Sequence, residues 1–234
     1  MIGSIPYTDM AYKAPSFGLF VQEGGAFAYM RIAATFGGAV PLSVQGDGRK
    51  IIVFPGFMAS DQSTGRLRRS LNAAGFDSVG WGLGRNRGVT HDMLHRVHEK
   101  LDSIAGRDPI SLVGWSLGGL VAREYAKLYP ELIDKIVTLG SPFSGHPRAN
   151  NAWRAYEAIA GHSVDNPPIK TILHEKPPVP TIAIWSPADG IVASESARGL
   201  PGQSDAQIRL NCRHMDFVCR PEAIQAIAEA LTGH

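Results

Sequence analysis

The stretch ISLVGWSLGGLVAREYAKLY (110–129) constrains this chain more than any other, because a strand and a helix meet in it across a single turn. ISLVG (110–114) is a short apolar run, and the segment LVAREYAKLY is helical until Pro130 closes it. Between them stands Ser116, with Gly114 and Gly118 two positions to either side. A turn this tight needs small residues there, since a Cβ would meet neighbouring backbone. The serine itself takes a strained conformation that lifts its hydroxyl above the sheet edge, and the helix behind it adds a positive N-terminal end. Glycine-rich chains contain G-x-S-x-G by chance, so the remaining sequence has to supply partners for Ser116.

The flanking segments repeat the same rhythm. IIVF (51–54) ends at Pro55-Gly56, and a helix is expected from about Ser60, with Leu67 and Leu71 four residues apart, to Gly75. FDSVG is a second strand, and GWGLGRNRG (80–88) is a glycine-rich loop. Thr90 is expected to cap a helix bearing Leu94, Val97, Leu101 and Ile104, which Gly106 stops. LIDKIVTLG (132–140), TIAIW (181–185) and AQIRLN (206–211) are further strands. The last helix has Pro221 in its first turn and Gly233 at its end. Such alternation predicts an α/β fold, with a mostly parallel central sheet and helices on both faces. The rhythm breaks only between about Phe143 and Val179. With 234 residues the expectation is one domain (1–234), comprising an N-terminal extension (1–45) and a cap or lid insertion (143–179).

Composition removes several function classes. A hydrophobic content of 44% with 19% charge suits a packed core and argues against disorder. The net charge of +2 gives no case for a nucleic-acid partner, and Arg66, Arg68, Arg69, Arg85 and Arg87 read as a solvated helix face and loop. The start, MIGSIPYTDM, lacks a basic n-region, so a cytoplasmic location is expected. Glu23, Gly24, Gly25 and Arg31 interrupt the apolar run 16–38, which reads as a helix packed on the body rather than a membrane span. Contact of that N-terminal segment with a membrane surface is the sharper alternative. His91, His95 and His98 lie at helical spacing without a further ligand in view, so a polar face is expected there and no metal. Cys212 and Cys219 flank His214; free thiols are the default, and a bridge stapling that loop is the alternative.

The segments FPGF, GWGLGRNRG, GWSLGGLVARE, TLGSPFSG, WSPADGIV and CRHMDF together resemble the α/β-hydrolase superfamily, in particular its lipase- and esterase-like serine hydrolases. The resemblance runs over about residues 50–232 and implies a Ser, acid, His order along the chain. It places the base at His214, past the strand AQIRLN, and the acid at Asp189 in ADGIV, with Asp165 and Asp216 as weaker rivals. It also implies an oxyanion hole made by the amides of Leu117 and Phe57, although this chain has Pro55-Gly56 where many relatives have His-Gly. The loop 80–88 is expected to rim the site, with Arg85 or Arg87 meeting a polar substrate group. The implied activity is hydrolysis of a small-molecule or lipid carboxylic ester with no cofactor. Amide or thioester hydrolysis, acyl transfer, or binding without catalysis on the same scaffold stay open, and no motif speaks to oligomeric state.

Overall fold

Six strands form one parallel sheet in the computed structural model, which describes residues 13–104 and 108–233. They are β1 (Lys50–Phe54), β2 (Asp77–Gly80), β3 (Ile110–Trp115), β4 (Ile133–Leu139), β5 (Thr181–Trp185) and β6 (Ala206–Arg209), in the order β2-β1-β3-β4-β5-β6. The alternation expected from the sequence is therefore the observed one. The chain reverses direction across the sheet between β1 and β3. Loops at the carboxyl ends of those two strands open a crevice, the usual ligand position in a sheet of this type.

The sheet is covered on both faces because its strands carry apolar side chains both ways. Ile51 and Val53 of β1 pack with α1 (Phe17–Phe36), α2 (Gly65–Ala73) and α7 (Pro221–Thr232). Ile52 and Phe54 face α3 (Met93–Asp102) and α4 (Leu117–Leu128). Two shorter helices, α5 (Trp153–Ala160) and α6 (Ser194–Arg198), lie in stretches where the apolar spacing gave no helix.

Two expectations need correction. The segment from Ser60 is a series of turns, and α2 begins only at Gly65, because Thr64 and Ser63 turn back onto Asp61 and Ser60. Helix α3 begins at Met93: the Thr90 hydroxyl donates to the Asp92 carboxylate, 2.6 Å away, instead of capping the helix. Gly106, expected to stop α3, lies outside the described residues.

The arginines of α2 are also not a merely solvated face. Arg66 donates to the Tyr29 hydroxyl (3.0 Å) and to the Cys219 carbonyl (2.7 Å). Arg69 donates to the carbonyls of Ala33, Ala34 and Gly37 at the end of α1, where the helix runs out of amide donors and only Ala33 also accepts from the Gly37 amide. The pair fastens α1 to the body, with Met30 and Ala33 in the core. Its outer side stays apolar: Phe17 is 79% exposed and Phe36 is 83% exposed. No helix among the described residues is long and apolar enough to cross a membrane.

Candidate active site

Ser116 sits at the end of β3 with φ 55° and ψ −122°, a backbone state that costs an L-residue energy and persists only where its surroundings enforce it. They do so here at every neighbouring glycine. A Cβ on Gly114 would lie 2.3 Å from the Gly119 Cα, and one on Gly118 would lie 2.4 Å from the Phe54 carbonyl oxygen. Gly119 is under the same constraint, with Ser141 Oγ at 2.0 Å from its virtual Cβ. The Ser116 amide is tied to the Leu139 carbonyl (2.8 Å). Ser116 itself stays half-buried at the wall of a cavity.

Asp189 and His214 arrive from the loops after β5 and β6. Both are about 2% exposed, and Asp189 Oδ2 lies 2.7 Å from His214 Nδ1. The other carboxylate oxygen accepts from the Ile191 and Val192 amides, each at 2.8 Å, which fixes the plane of the carboxylate. Burial disfavours the imidazolium, but the Asp189 charge and hydrogen bond outweigh it. The Glu23 charge adds to them, so the His214 pKa stands above its ordinary value. Trp115 Nε1 donates to the His214 carbonyl (3.1 Å), which holds the imidazole segment beside the serine's strand. No hydrogen bond joins Ser116 to His214 among the described residues. In unliganded sites such bonds are often long and tighten when substrate binds.

The rivals are engaged elsewhere. Asp165 pairs with Arg148 at 2.6 Å, and Asp216 pairs with Arg220 at 3.1 Å while accepting from the Arg213 amide.

Phe57 and Leu117 both line the cavity. Among the described residues neither amide is paired with a carbonyl or side chain of the chain. The loop after β1 approaches the serine closely, since a Cβ on Gly56 would lie 3.2 Å from the Ser116 Cβ. Its shape depends on Asn86, which is fully buried and which the sequence reading passed over. Asn86 donates from Nδ2 to the Pro55 carbonyl (2.9 Å), and its backbone pairs with Met58 and Ala59. Met58 thereby holds φ 59°. Arg85, which with Arg87 is one of two candidates to meet a polar substrate group, donates to the Met58 carbonyl at 2.5 Å. The available signal was a lone asparagine between two arginines in a glycine-rich loop.

The cavity is about 140 Å³ and its walls are apolar. Met93, Leu120 and Val121 come from α3 and α4, and Trp153, Tyr156 and Ile169 come from the 143–179 stretch. Tyr156 packs its ring 5.3 Å from that of Phe57, so α5 touches the residue after Gly56 directly.

Among the described residues no group of three or more His, Cys, Asp or Glu side chains could hold a metal ion. His98 is drawn in against Tyr129 (ring centroids 4.2 Å) and Tyr125, while His95 lies outward beside Glu99. Cys212 and Cys219 are free thiols, and burial first of all pushes Cys219 up to about 12.

A buried carboxylate–imidazole pair, together with a strained serine and two unpaired amides at the wall of an apolar cavity, can perform nucleophilic acyl chemistry. Comparison with known proteins bears on how far that reading extends. Residues 51–158 match the sequence family described as the alpha/beta hydrolase fold. A pimeloyl-acyl-carrier-protein methyl ester esterase of Photobacterium profundum is 37% identical over 73 residues, 30% of this chain and 28% of the relative's length. Among solved structures, a metagenomic carboxyl esterase superposes with TM-score 0.60 at 17% identity, covering 84% of this chain and 78% of its own. A monoacylglycerol lipase of Paleococcus ferrophilus superposes with TM-score 0.61 at 16% identity, covering 80% and 95%. At such identities the structural likeness shows the fold alone.

Proposed function

The chain has the α/β-hydrolase fold, and from that premise we propose that it is a serine hydrolase cleaving carboxylic esters, a carboxylesterase or lipase. The observation that carries the reading is the buried Asp189–His214 hydrogen bond, 2.7 Å long, beside a serine held in strained backbone. His214 Nε2 takes the proton of Ser116 as its Oγ attacks the ester carbonyl. The tetrahedral oxyanion receives the amides of Phe57 and Leu117. His214 then protonates the departing alcohol, leaving an acyl-serine. Water, deprotonated by the same imidazole, releases the acid. Asp189 keeps the ring in the right tautomer and balances the imidazolium.

The cavity walls suit an apolar acyl or alcohol group, with the 143–179 stretch as a cap over it. The names of the similar proteins agree with an ester substrate, and the short match to the methyl ester esterase takes the assignment no further. The outer face of α1 is where the protein would rest on a lipid surface.

Fluorophosphonate labelling tests the nucleophile. The native protein is expected to label and Ser116→Ala not to; an unlabelled native protein would falsify the mechanism. A chain-length series of nitrophenyl esters, run beside the matching thioesters and anilides, then sorts esterase and lipase from the other acyl chemistries.

A further inference from the structure

We propose that Glu23, on the N-terminal helix, is a positioning residue that locks the loops of the acid and the base to each other. The inference rests on the serine-hydrolase reading of Asp189 and His214. Glu23 is 4% exposed in a helix whose only other charged residue is Arg31. Its Oε1 accepts from the Gly190 amide at 2.8 Å and from the His214 amide at 2.8 Å. Its Oε2 accepts from the Met215 amide at 3.2 Å. One oxygen therefore joins the residue next to the acid with the base itself, across 24 positions of sequence. Hydrogen bonds from an ionised acceptor are about twice as strong as neutral ones, and a buried one is not screened by water.

The approach is close and specific. A Cβ on Gly190 would lie 2.4 Å from the Leu19 carbonyl oxygen and 2.9 Å from the Glu23 Cγ, so the glycine of ADG admits α1. Neighbouring contacts seal the same seam. Arg213 donates to Gln22 at 2.6 Å, and Asn151 donates to both Pro15 and Gly190. The positioning group comes from outside the 51–158 segment that matches the hydrolase family.

Glu23 also acts through its charge. The charged groups acting on the His214 ring are Asp189 from the β5 loop and Glu23 from α1. Asp216, on the same turn as His214, is engaged by Arg213 and Arg220, and β3 presents only the neutral Trp115. Glu23 favours the imidazolium, so its removal moves the His214 pKa down and the acid limb of the rate profile to lower pH.

Glu23→Gln keeps the shape and one carbonyl acceptor but sets an NH2 against the Met215 amide and removes the charge. The expected result is a folded protein with kcat on nitrophenyl esters lowered about tenfold, KM within about twofold, and the acid limb displaced to lower pH. A folded Glu23→Gln protein with the native kcat and limb overturns the proposal. Should that variant not fold, Glu23→Asp keeps the charge without the reach: lowered kcat at unchanged KM supports the proposal, and native kcat overturns it. NMR titration of the His214 ring reads the effect without any substrate. If the native protein proves inactive, a lowered ring pKa in Glu23→Gln supports the positioning role, and the failure then belongs to the ester-hydrolase reading alone. An unmoved ring pKa overturns the positioning role.

Discussion

At the scale of single residues, the balance of forces on His214 gives a measurable signature. Burial opposes protonation; the Asp189 charge, its hydrogen bond and the Glu23 charge outweigh burial and raise the pKa. Only the neutral imidazole accepts the serine proton. On the proposed mechanism the reaction therefore slows as pH falls through a value above that of an ordinary histidine, and it is fully on above it. Asp189→Asn removes the two largest opposing influences and leaves burial in place. The expected outcome is an acid limb shifted to lower pH and kcat lower by about 10³–10⁴-fold, read from the pH dependence of kcat/KM. An unmoved limb would show that Asp189 does not act on the base. That Asp189 and His214 would meet, and that Ser116 would be strained, was legible because the proposed chemistry restricts its residues: a nucleophile needs glycines, an acid and a histidine in a set order. Glu23 obeyed no such pattern. In the sequence it looked like a charge interrupting an apolar run, and only the packing of α1 turns it toward Gly190 and His214.

At the scale of elements, the strands were legible because largely buried parallel strands leave short apolar runs rich in β-branched residues, as in IIVF and TIAIW. Helix starts were harder to read. Thr90 and Ser60 are good capping residue types, yet their side chains and backbones close local turns instead. The loops show the same limit, because Asn86 acts across sequence on Pro55, Met58 and Ala59. Its removal should be felt at the amide of Phe57, on the segment it braces. Asn86→Ala leaves the buried Pro55 carbonyl without that donor, while the backbone bonds to Met58 and Ala59 remain. A stability loss of about 1–3 kcal/mol is expected by urea denaturation, together with a kcat decrease larger than any change in KM. Native kcat in a destabilised protein would separate the loop from oxyanion stabilisation.

At the scale of the whole molecule, α1 has two opposed faces with different tasks. The inner face carries Glu23, Met30 and Ala33 into the body, and the outer face leaves Phe17, Phe20, Val21, Phe27, Ile32 and Phe36 to solvent, with Arg31 among them. A helix of 20 residues is about 30 Å long, so this is a sizeable apolar strip for a protein surface. An enzyme whose substrate is a lipid ester gains from such a strip, because a lipid interface buries it while the cation meets anionic headgroups. Vesicles of mixed phosphatidylcholine and phosphatidylglycerol are therefore expected to carry the native protein down on sedimentation. Each phenylalanine fully buried contributes about 1.5–3 kcal/mol, and even partial insertion of two accounts for a tenfold change in partitioning. The double variant Phe17→Ser/Phe36→Ser should thus sediment about tenfold less while hydrolysing soluble nitrophenyl acetate at the native rate. Equal sedimentation of the two proteins rules out the lipid contact. An α1-dependent dimer in analytical ultracentrifugation would assign the face to a second copy of the chain.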